Sequence, residues 1–234
     1  MNNPIYAATH AQFAPLVQPL GFRCIGNRCY YRIVGDVVQQ FCVLCLHRQC
    51  TIRFGMSSVY EKNDRKNEGA EVYTLIDGTK RWIVESSEEI APDIYATDER
   101  LLLPDDECRT YAAARCVEVL QTVLLPWFEA NTTPKQAMEA MQAVRTAEGR
   151  DMQKPQYEDI GFLLAMQQWE QAASILEAYF VAQTVPCNCT WRSENTSWAI
   201  PLYHALQAND LSFVRAYMDQ RKNETCRAFK WKQI

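Results

Sequence analysis

The sequence lacks long apolar runs and an export signal, and both absences narrow the class of protein. None of its 234 residues lies in an apolar stretch of about 18, the minimum for a membrane-spanning helix. The opening Met-Asn-Asn-Pro has neither the basic nor the apolar region of a secretory signal peptide. We therefore expect a cytoplasmic protein with no membrane partner.

An excess of positive charge is also missing. The chain has 24 Lys and Arg against 28 Asp and Glu, a net charge of −4. Nucleic acids and anionic surfaces bind a cationic face, which this balance disfavours, so we expect no nucleic-acid partner. With 48% hydrophobic and 22% charged residues, the composition is typical of a globular protein of one or two domains.

Catalytic and cofactor motifs are absent as well. The sequence contains no Gly-x-Ser-x-Gly, no His-Glu-x-x-His and no glycine-rich phosphate loop, and it has only three histidines. We predict no catalytic residue and no cofactor. One catalytic alternative stays open, because a nucleophile and its base pair in space rather than in sequence: a cysteine thiol with His10 or His47.

Cysteine, in contrast, is abundant, with ten residues. A disulfide framework is typical of short secreted chains, so we expect all ten to be thiols. A zinc site at Cys42-x-x-Cys45 is disfavoured, since residues three apart on a strand point to opposite faces. We predict small buried side chains and no metal.

Residues 19–60 have the pattern of a four-strand antiparallel meander that follows a short helix at 5–17. Gly26-Asn27 and Gly35-Asp36 supply the positive φ angles of tight hairpin turns. The strands are expected near 22–25, 28–34, 37–46 and 50–60. The third is apolar on both faces, as in a central strand. The fourth alternates, with Arg53 on its polar side, which predicts a partly open sheet face and a groove.

Two further helices are expected before residue 150. One is predicted over 107–125, with Asp105 or Asp106 as its N-cap and Pro126 as its end or kink. The other follows Thr133-Pro134, a cap and a proline at the first helical position, and runs to about residue 147. Both helices belong with the sheet in our prediction.

Beyond residue 150 the pattern is helical. Residues 160–183 have the composition of a helix pair, and 203–217 repeat the scheme about 40 residues later, similar to the hairpins of tetratricopeptide repeats. We predict an α+β fold in two domains. Domain 1–150 is an antiparallel β-meander with flanking helices, and domain 151–234 is an all-helical region of helical hairpins.

Four short segments of the first half carry a family resemblance. They are Pro19-Leu20-Gly21-Phe22, Tyr30-Tyr31-Arg32, Gly35-Asp36-Val37-Val38-Gln39 and Leu125-Pro126-Trp127-Phe128. Over roughly residues 10–130 the chain resembles an uncharacterised bacterial family, domain of unknown function 4304. The resemblance implies a small cytosolic α+β protein, and it carries no catalytic residue over to this chain.

The most uneven charge lies at 85–107, where nine carboxylates stand against Arg100 alone. Such a run attracts basic partners and speeds their association. The candidate partner-binding residues are Arg53 and five carboxylates: Glu88, Glu89, Asp93, Asp98 and Glu99. Two other interpretations stay open. The carboxylates could simply precede a helix start and face water, or they could bind the basic residues of 221–234 within one molecule.

The leading hypothesis from the sequence is a non-enzymatic protein-binding module, of adaptor or immunity type, in the bacterial cytosol. It would bind a basic protein through the acidic run or the open sheet face. The alternative is a small-molecule enzyme with a pocket between the sheet and the C-terminal helices. The sequence leaves the oligomeric state open.

Overall fold

A computed structural model of the chain describes residues 4–25, 29–46, 49–61, 114, 117–147, 152, 157–183 and 198–229. The chain divides into two compact units. The first contains Met1–Met56 and Lys66–Arg150, and the second contains Ser57–Arg65 and Asp151–Ile234. The α+β class is confirmed by a sheet followed by a mainly helical C-terminal region. The two predicted domains, as independently folding parts, stay a prediction.

The first unit is built on a four-stranded antiparallel sheet in which the strands lie in sequence order. The strands are β1 (Arg23–Ile25), β2 (Cys29–Val34), β3 (Val37–Leu46) and β4 (Gln49–Ser58). Val34 pairs with Val37, so Gly35 and Asp36 form the expected two-residue turn. Gly35 has a φ of 58°, a left-handed conformation that glycine adopts without strain. The predicted meander is therefore confirmed.

Three helices of the first unit are described: α1 (Pro4–Val17), α2 (Leu125–Ala130) and α3 (Pro134–Ala147). A short 3₁₀ turn, Gln18–Leu20, follows α1 and ends at Gly21, whose φ is 87°. At the start of α3, the Thr133 hydroxyl accepts from the Gln136 N–H, while the Gln136 side chain accepts from the Thr133 N–H. This reciprocal capping box explains why α3 begins at the predicted residue.

Pro126 does not end a helix, in contrast to one reading of the sequence. The chain passes from a wide π-helical turn, Leu120–Leu124, directly into α2. The Leu125 N–H bonds to the carbonyl oxygen of Leu120, and Pro126 then lies in the first turn of α2. A proline is tolerated in a first turn because the N–H it lacks is not needed there. The predicted N-cap, Asp105 or Asp106, lies outside the described residues.

The central strand is covered on both faces, as its apolar pattern predicts. The partly open face was predicted from β4, where the side chain of Arg53 lies outside the described residues. Phe41 is fully buried on one face of β3, and Val38, Gln40 and Cys42 are fully buried on the other. The first face packs against aromatic rings, with Phe41 stacked 4.8 Å from Tyr30 between ring centroids. Alternate residues of a strand point to opposite faces. Because both sets are buried here, no groove is exposed along Val37–Cys42.

The expectation of ten free thiols is also wrong. Cys29 and Cys42 form a disulfide that links β2 to β3. The two residues are directly paired in the sheet, with Cα atoms 4.1 Å apart, and a sequence that shows only their spacing does not reveal this pairing. Cys24 and Cys226 are free thiols. Cys45 was the second half of the disfavoured zinc motif, and its side chain lies outside the described part of the chain.

The described residues of the second unit beyond 156 form two helical hairpins. Its helices are α4 (Ile160–Ala165), α5 (Trp169–Gln183), α6 (Ala199–Gln207) and α7 (Leu211–Ala228). Each hairpin turns at one residue in the left-handed region, Gln167 with φ 59° and Asn209 with φ 53°. The same three backbone hydrogen bonds close both turns. This repeated turn is the Schellman type of helix ending, and it confirms the predicted helix pairs.

The segment that leaves β4 completes this second unit. The Thr225 hydroxyl of α7 donates to the backbone carbonyl of Val59 at 2.9 Å, and both groups are buried. Gly161 of α4 lies so close that a Cβ atom there would sit 2.8 Å from the Cβ of Ser58. Residues 57–61 are therefore part of the helical core rather than only the end of a strand.

Candidate functional site

The predicted partner-binding carboxylates fall outside the described residues. Glu88, Glu89, Asp93, Asp98 and Glu99 all belong to the range 62–113, and so does the rest of the acidic run. Arg53 is in β4, but its side chain is likewise outside the description. Their proposed role therefore stays a prediction.

The second unit presents a row of aromatic side chains that crosses from one hairpin to the next. Tyr157 contacts Tyr179 of α5 with ring centroids 5.6 Å apart, and Phe180 contacts Tyr203 of α6 at 5.4 Å. His204 continues the row, 5.6 Å from Tyr203. With Ile200, these side chains form what we name the aromatic face: Tyr157, Tyr179, Phe180, Ile200, Tyr203 and His204.

The aromatic face reaches solvent, although its members are large. Tyr157 is 47% exposed and Ile200 is 45% exposed, and His204 is exposed as well. Ile200 lies three and four residues before Tyr203 and His204, the spacing that places side chains on one side of a helix. Tyr203 is half-buried, which holds its ring in place between the two exposed ends. Large, partly anchored and partly exposed rings are the usual composition of a binding surface.

The segments that carry these rings are rich in carboxylates. Residues 157–183 and 198–210 contain five carboxylates and no lysine or arginine. Glu170 and Glu177 are exposed on α5, and Glu158 adjoins Tyr157. The basic residues of this unit's described part are on α7 instead, beginning with Arg215. The described segments that carry the aromatic face are therefore acidic.

One of these carboxylates has a structural task. The Asp210 carboxylate accepts from the backbone N–H of Phe213 and so caps α7. Its hydrogen bonds, first from the Ser212 hydroxyl and then from that backbone N–H, lower the pKa of Asp210 below its ordinary value. Asp210 is consequently ionised at neutral pH.

Rings and carboxylates of this kind suit cationic side chains. A guanidinium group stacks on tyrosine or phenylalanine because the ring face carries negative charge density. It also forms paired hydrogen bonds with a carboxylate. Lysine lacks the flat, delocalised group and gains less from stacking. On rings of this kind an arginine side chain would therefore gain more than a lysine side chain.

The buried polar network of the first unit is a less suitable site. Arg32 donates from Nε to Gln39 at 2.6 Å and from Nη2 to Glu129 at 2.7 Å, and it also bonds the Leu20 carbonyl. Its guanidinium carbon lies 4.7 Å from the centre of the Phe22 ring. These donors are directed at groups of the protein itself. The network therefore ties strands to helix ends rather than presenting itself to a ligand.

Two further classes of site find no support in the part of the chain that the structure describes. There, no three His, Cys, Asp or Glu side chains converge as a metal site requires. The described helices also include none that is both long and apolar enough to cross a bilayer. His47, one of the two predicted base candidates, lies outside the described residues, and His10 is in α1.

Comparison with known proteins adds no relative. No family model matches the chain, and neither the curated proteins nor the solved structures include a match. The resemblance to the family named domain of unknown function 4304 thus stays a prediction.

The aromatic face is not predictable from the sequence, although part of its signal is visible there. Residues 157–210 contain carboxylates and aromatic rings but only one cationic side chain, Arg192. The contact between rings of different helices could not be seen, because Tyr157 and Tyr179 are neighbours only after α4 and α5 fold together. Periodicity identifies which residues share a helix side, not which helices meet.

Proposed function

We propose that this protein is a non-enzymatic protein-binding module that captures an arginine-bearing segment of a basic partner on its aromatic face. The observation that carries the proposal is the continuous row from Tyr157 to His204, exposed at both ends. Aromatic side chains are enriched among the residues that dominate binding energies at protein interfaces. An adaptor or immunity-type role is the biological form of this proposal.

Charge supports the choice of partner. Residues 157–183 and 198–210 contain five carboxylates and no lysine or arginine, and Glu170 and Glu177 are exposed on α5. An acidic field accelerates the approach of a basic segment and disfavours acidic competitors. The acidic run at 85–107 and Arg53 stay a separate proposed contact for a basic partner.

The cellular setting is part of the proposal. A bacterial cytosol agrees with the predicted family resemblance and with the absence of a spanning helix among the described residues. Stable disulfides are rare in reducing compartments. The Cys29–Cys42 disulfide therefore tests this setting: if peptide mapping of protein from the native cell finds the bond intact, a reducing compartment is contradicted.

The decisive experiment measures binding of a labelled arginine-rich peptide by fluorescence anisotropy, with lysine-rich and glutamate-rich peptides of equal length for comparison. We expect the arginine peptide to bind best. The variants Tyr157→Ala and Ile200→Ala truncate two highly exposed side chains of the aromatic face. Each variant should weaken binding about five- to tenfold. Replacing Glu170 and Glu177 with Gln should weaken the salt dependence of binding.

A matched control comes from α7. Phe213 is 40% exposed, similar to Ile200, but belongs to the helix that carries the basic residues. Phe213→Ala should leave binding unchanged. If it weakens binding as much as Tyr157→Ala, or if the lysine peptide binds as tightly as the arginine peptide, the proposal is wrong.

A further inference from the structure

A second cluster of reactive side chains lies in the first unit and shares no residue with the aromatic face. Cys24 of β1 and Tyr30 of β2 are directly paired in the sheet. Directly opposed residues of an antiparallel pair lie on the same face, with neighbouring side chains. On that face the Tyr30 hydroxyl is 2.7 Å from Nδ1 of His10 in α1. The Cys24 thiol, the Tyr30 phenol and the His10 imidazole therefore form a row.

The surroundings hold this order in place. Tyr30 is 2% exposed, and its ring stacks on both Phe41 and His10. Cys24 and His10 are only half-buried, so the two ends of the row are open to solvent while its centre is closed. Such an arrangement lets protons pass between the ends through a fixed hydroxyl group.

The central phenol remains protonated. Burial raises the pKa of Tyr30 well above its ordinary value, and the negative charge and hydrogen bond of Cys24 raise it further. Tyr30 therefore acts as a neutral hydroxyl that accepts from one neighbour and donates to the other, and no phenolate accumulates. Proton transfer runs from Cys24 to His10. The thiol proton of Cys24 moves to the Tyr30 hydroxyl as the Tyr30 proton moves to Nδ1 of His10.

We propose that Cys24 is a reactive thiol, activated by His10 through the Tyr30 hydroxyl, and that it reacts with small hydroperoxides. The thiolate is the nucleophile in such reactions, and a half-buried sulfur admits a small neutral oxidant more readily than a bulky or charged one. The site is independent of the aromatic face, which belongs to the other unit.

The reaction balances with the groups present. The Cys24 sulfur attacks one peroxide oxygen, the S–O bond forms and the O–O bond breaks. Sulfur loses two electrons to the peroxide, whose leaving oxygen becomes hydroxide from hydrogen peroxide or alkoxide from an organic hydroperoxide. The proton held on Nδ1 of His10 returns through Tyr30 to that oxygen, which leaves as water or an alcohol. The product on the protein is a sulfenic acid.

The test uses the intact chain, hydrogen peroxide and dimedone, which traps sulfenic acids. Trypsin releases Cys24 in the peptide 24–28 and Cys226 in the peptide 223–227, each with a single cysteine. Mass spectrometry then follows the two thiols separately. Cys226 is a free thiol that is 5% exposed, and it serves as the internal reference. We expect Cys24 to be trapped at least about tenfold faster than Cys226.

Greater exposure alone would also make Cys24 react faster than Cys226, so variants of Tyr30 and His10 are needed to test the relay. Tyr30→Phe keeps the stacked ring and removes the hydroxyl, and His10→Ala removes the proton acceptor at a half-buried position. Each should slow trapping of Cys24 at least about tenfold. Free imidazole should restore part of the rate in His10→Ala, an effect that a purely structural role of His10 would not produce.

His204→Ala, an exposed histidine of the second unit, is the matched control and should leave the rate unchanged. Circular dichroism confirms that each variant is folded. An unchanged Cys24 rate in either row variant overturns the relay, and equal trapping of Cys24 and Cys226 in the parent chain overturns the reactive thiol.

Discussion

Gly161 shows how closely one residue can be constrained by its neighbours. It lies inside α4, where alanine would favour the helix by about 1 kcal/mol. A Cβ atom there would meet the Ser58 Cβ at 2.8 Å and the Glu61 nitrogen at 3.3 Å. We predict that Gly161→Ala lowers the free energy of unfolding by about 1–2 kcal/mol, because overpacking outweighs the gain in helix propensity. Urea denaturation measures the change.

The second-site variant Ser58→Gly separates the clash from other causes. It removes the atom that the new methyl group would strike. The double variant Gly161→Ala with Ser58→Gly should therefore be more stable than the sum of the two single effects. Additive losses would show that the contact with Ser58 does not limit position 161.

Tyr217 provides a pH-dependent prediction at the same scale. It is 8% exposed in α7, and burial raises its pKa to about 12 from the ordinary 10.0. Above pH 10 the unfolded chain ionises this phenol while the folded chain keeps it neutral. The contribution of Tyr217 to the free energy of unfolding is thus fully present below pH 10. It is lost as the pH rises toward 12, by up to about 1.4 kcal/mol for each pH unit.

The measurement compares thermal unfolding of the parent chain and Tyr217→Phe between pH 8 and about 11.5. The phenylalanine variant cannot ionise, so its stability should fall less steeply above pH 10. Tyrosine and phenylalanine at position 217 can both make the stacked contact with Trp198, in which the ring centroids are 6.5 Å apart. Identical pH profiles would mean that Tyr217 ionises equally in both states.

At the scale of secondary-structure elements, one glutamine joins the sheet to a helix end. Gln39 of β3 accepts from Arg32 of β2 and donates to the backbone carbonyls of Phe128 and Asn131, at 2.7 and 2.9 Å. These carbonyls belong to the C-terminal end of α2, where the Phe128 carbonyl also accepts from the Asn131 N–H at 3.2 Å. The Gln39 side chain thus adds hydrogen bonds at a helix terminus that packs against the strand.

We predict that Gln39→Leu costs about 3 kcal/mol of unfolding free energy, because a buried guanidinium N–H and the carbonyls lose their partner. Glu129→Gln should cost less than about 1 kcal/mol, since the Glu129 side chain is 56% exposed and its ion pair is largely solvated. Chemical denaturation of both variants checks the order. Equal losses of unfolding free energy in the two variants would mean that the Arg32–Glu129 ion pair stabilises the fold as much as Gln39 does.

At the scale of the whole molecule, chain order and structural units do not coincide. Ser57–Arg65 belongs to the helical unit although the rest of that unit begins at Asp151. A fragment of residues 151–234 would lack the Val59 carbonyl that Thr225 binds and the Tyr60 ring near Lys222. We predict that this fragment melts at a lower temperature than the helical transition of the intact chain, as followed by circular dichroism.

The control is Thr225→Val in the intact chain, which removes only the buried hydrogen bond and should cost about 1 kcal/mol. A fragment that is less stable than this variant shows that packing of the whole segment matters. Equal melting of the fragment and the intact chain would mean that residues 57–65 contribute nothing to the second unit.

Much of the fold was predictable because its signals are local. The period of the strands, the Gly35-Asp36 turn and the Thr133 cap each depend on residues within one or two turns of chain. Their elements appear where the pattern placed them. The continuation of the helix through Pro126 was not predictable in this way, because a wide turn before a proline leaves no mark in hydrophobic periodicity.

The candidate site was less predictable, and so was the state of the cysteines. The aromatic face, the row from Cys24 to His10 and the Cys29–Cys42 disulfide all join residues on different elements. The sequence by itself determined the elements, since propensity, periodicity and capping act over a few residues. Only the tertiary structure decided which of their faces meet, because burial and side-chain contact depend on neighbours that are distant along the chain.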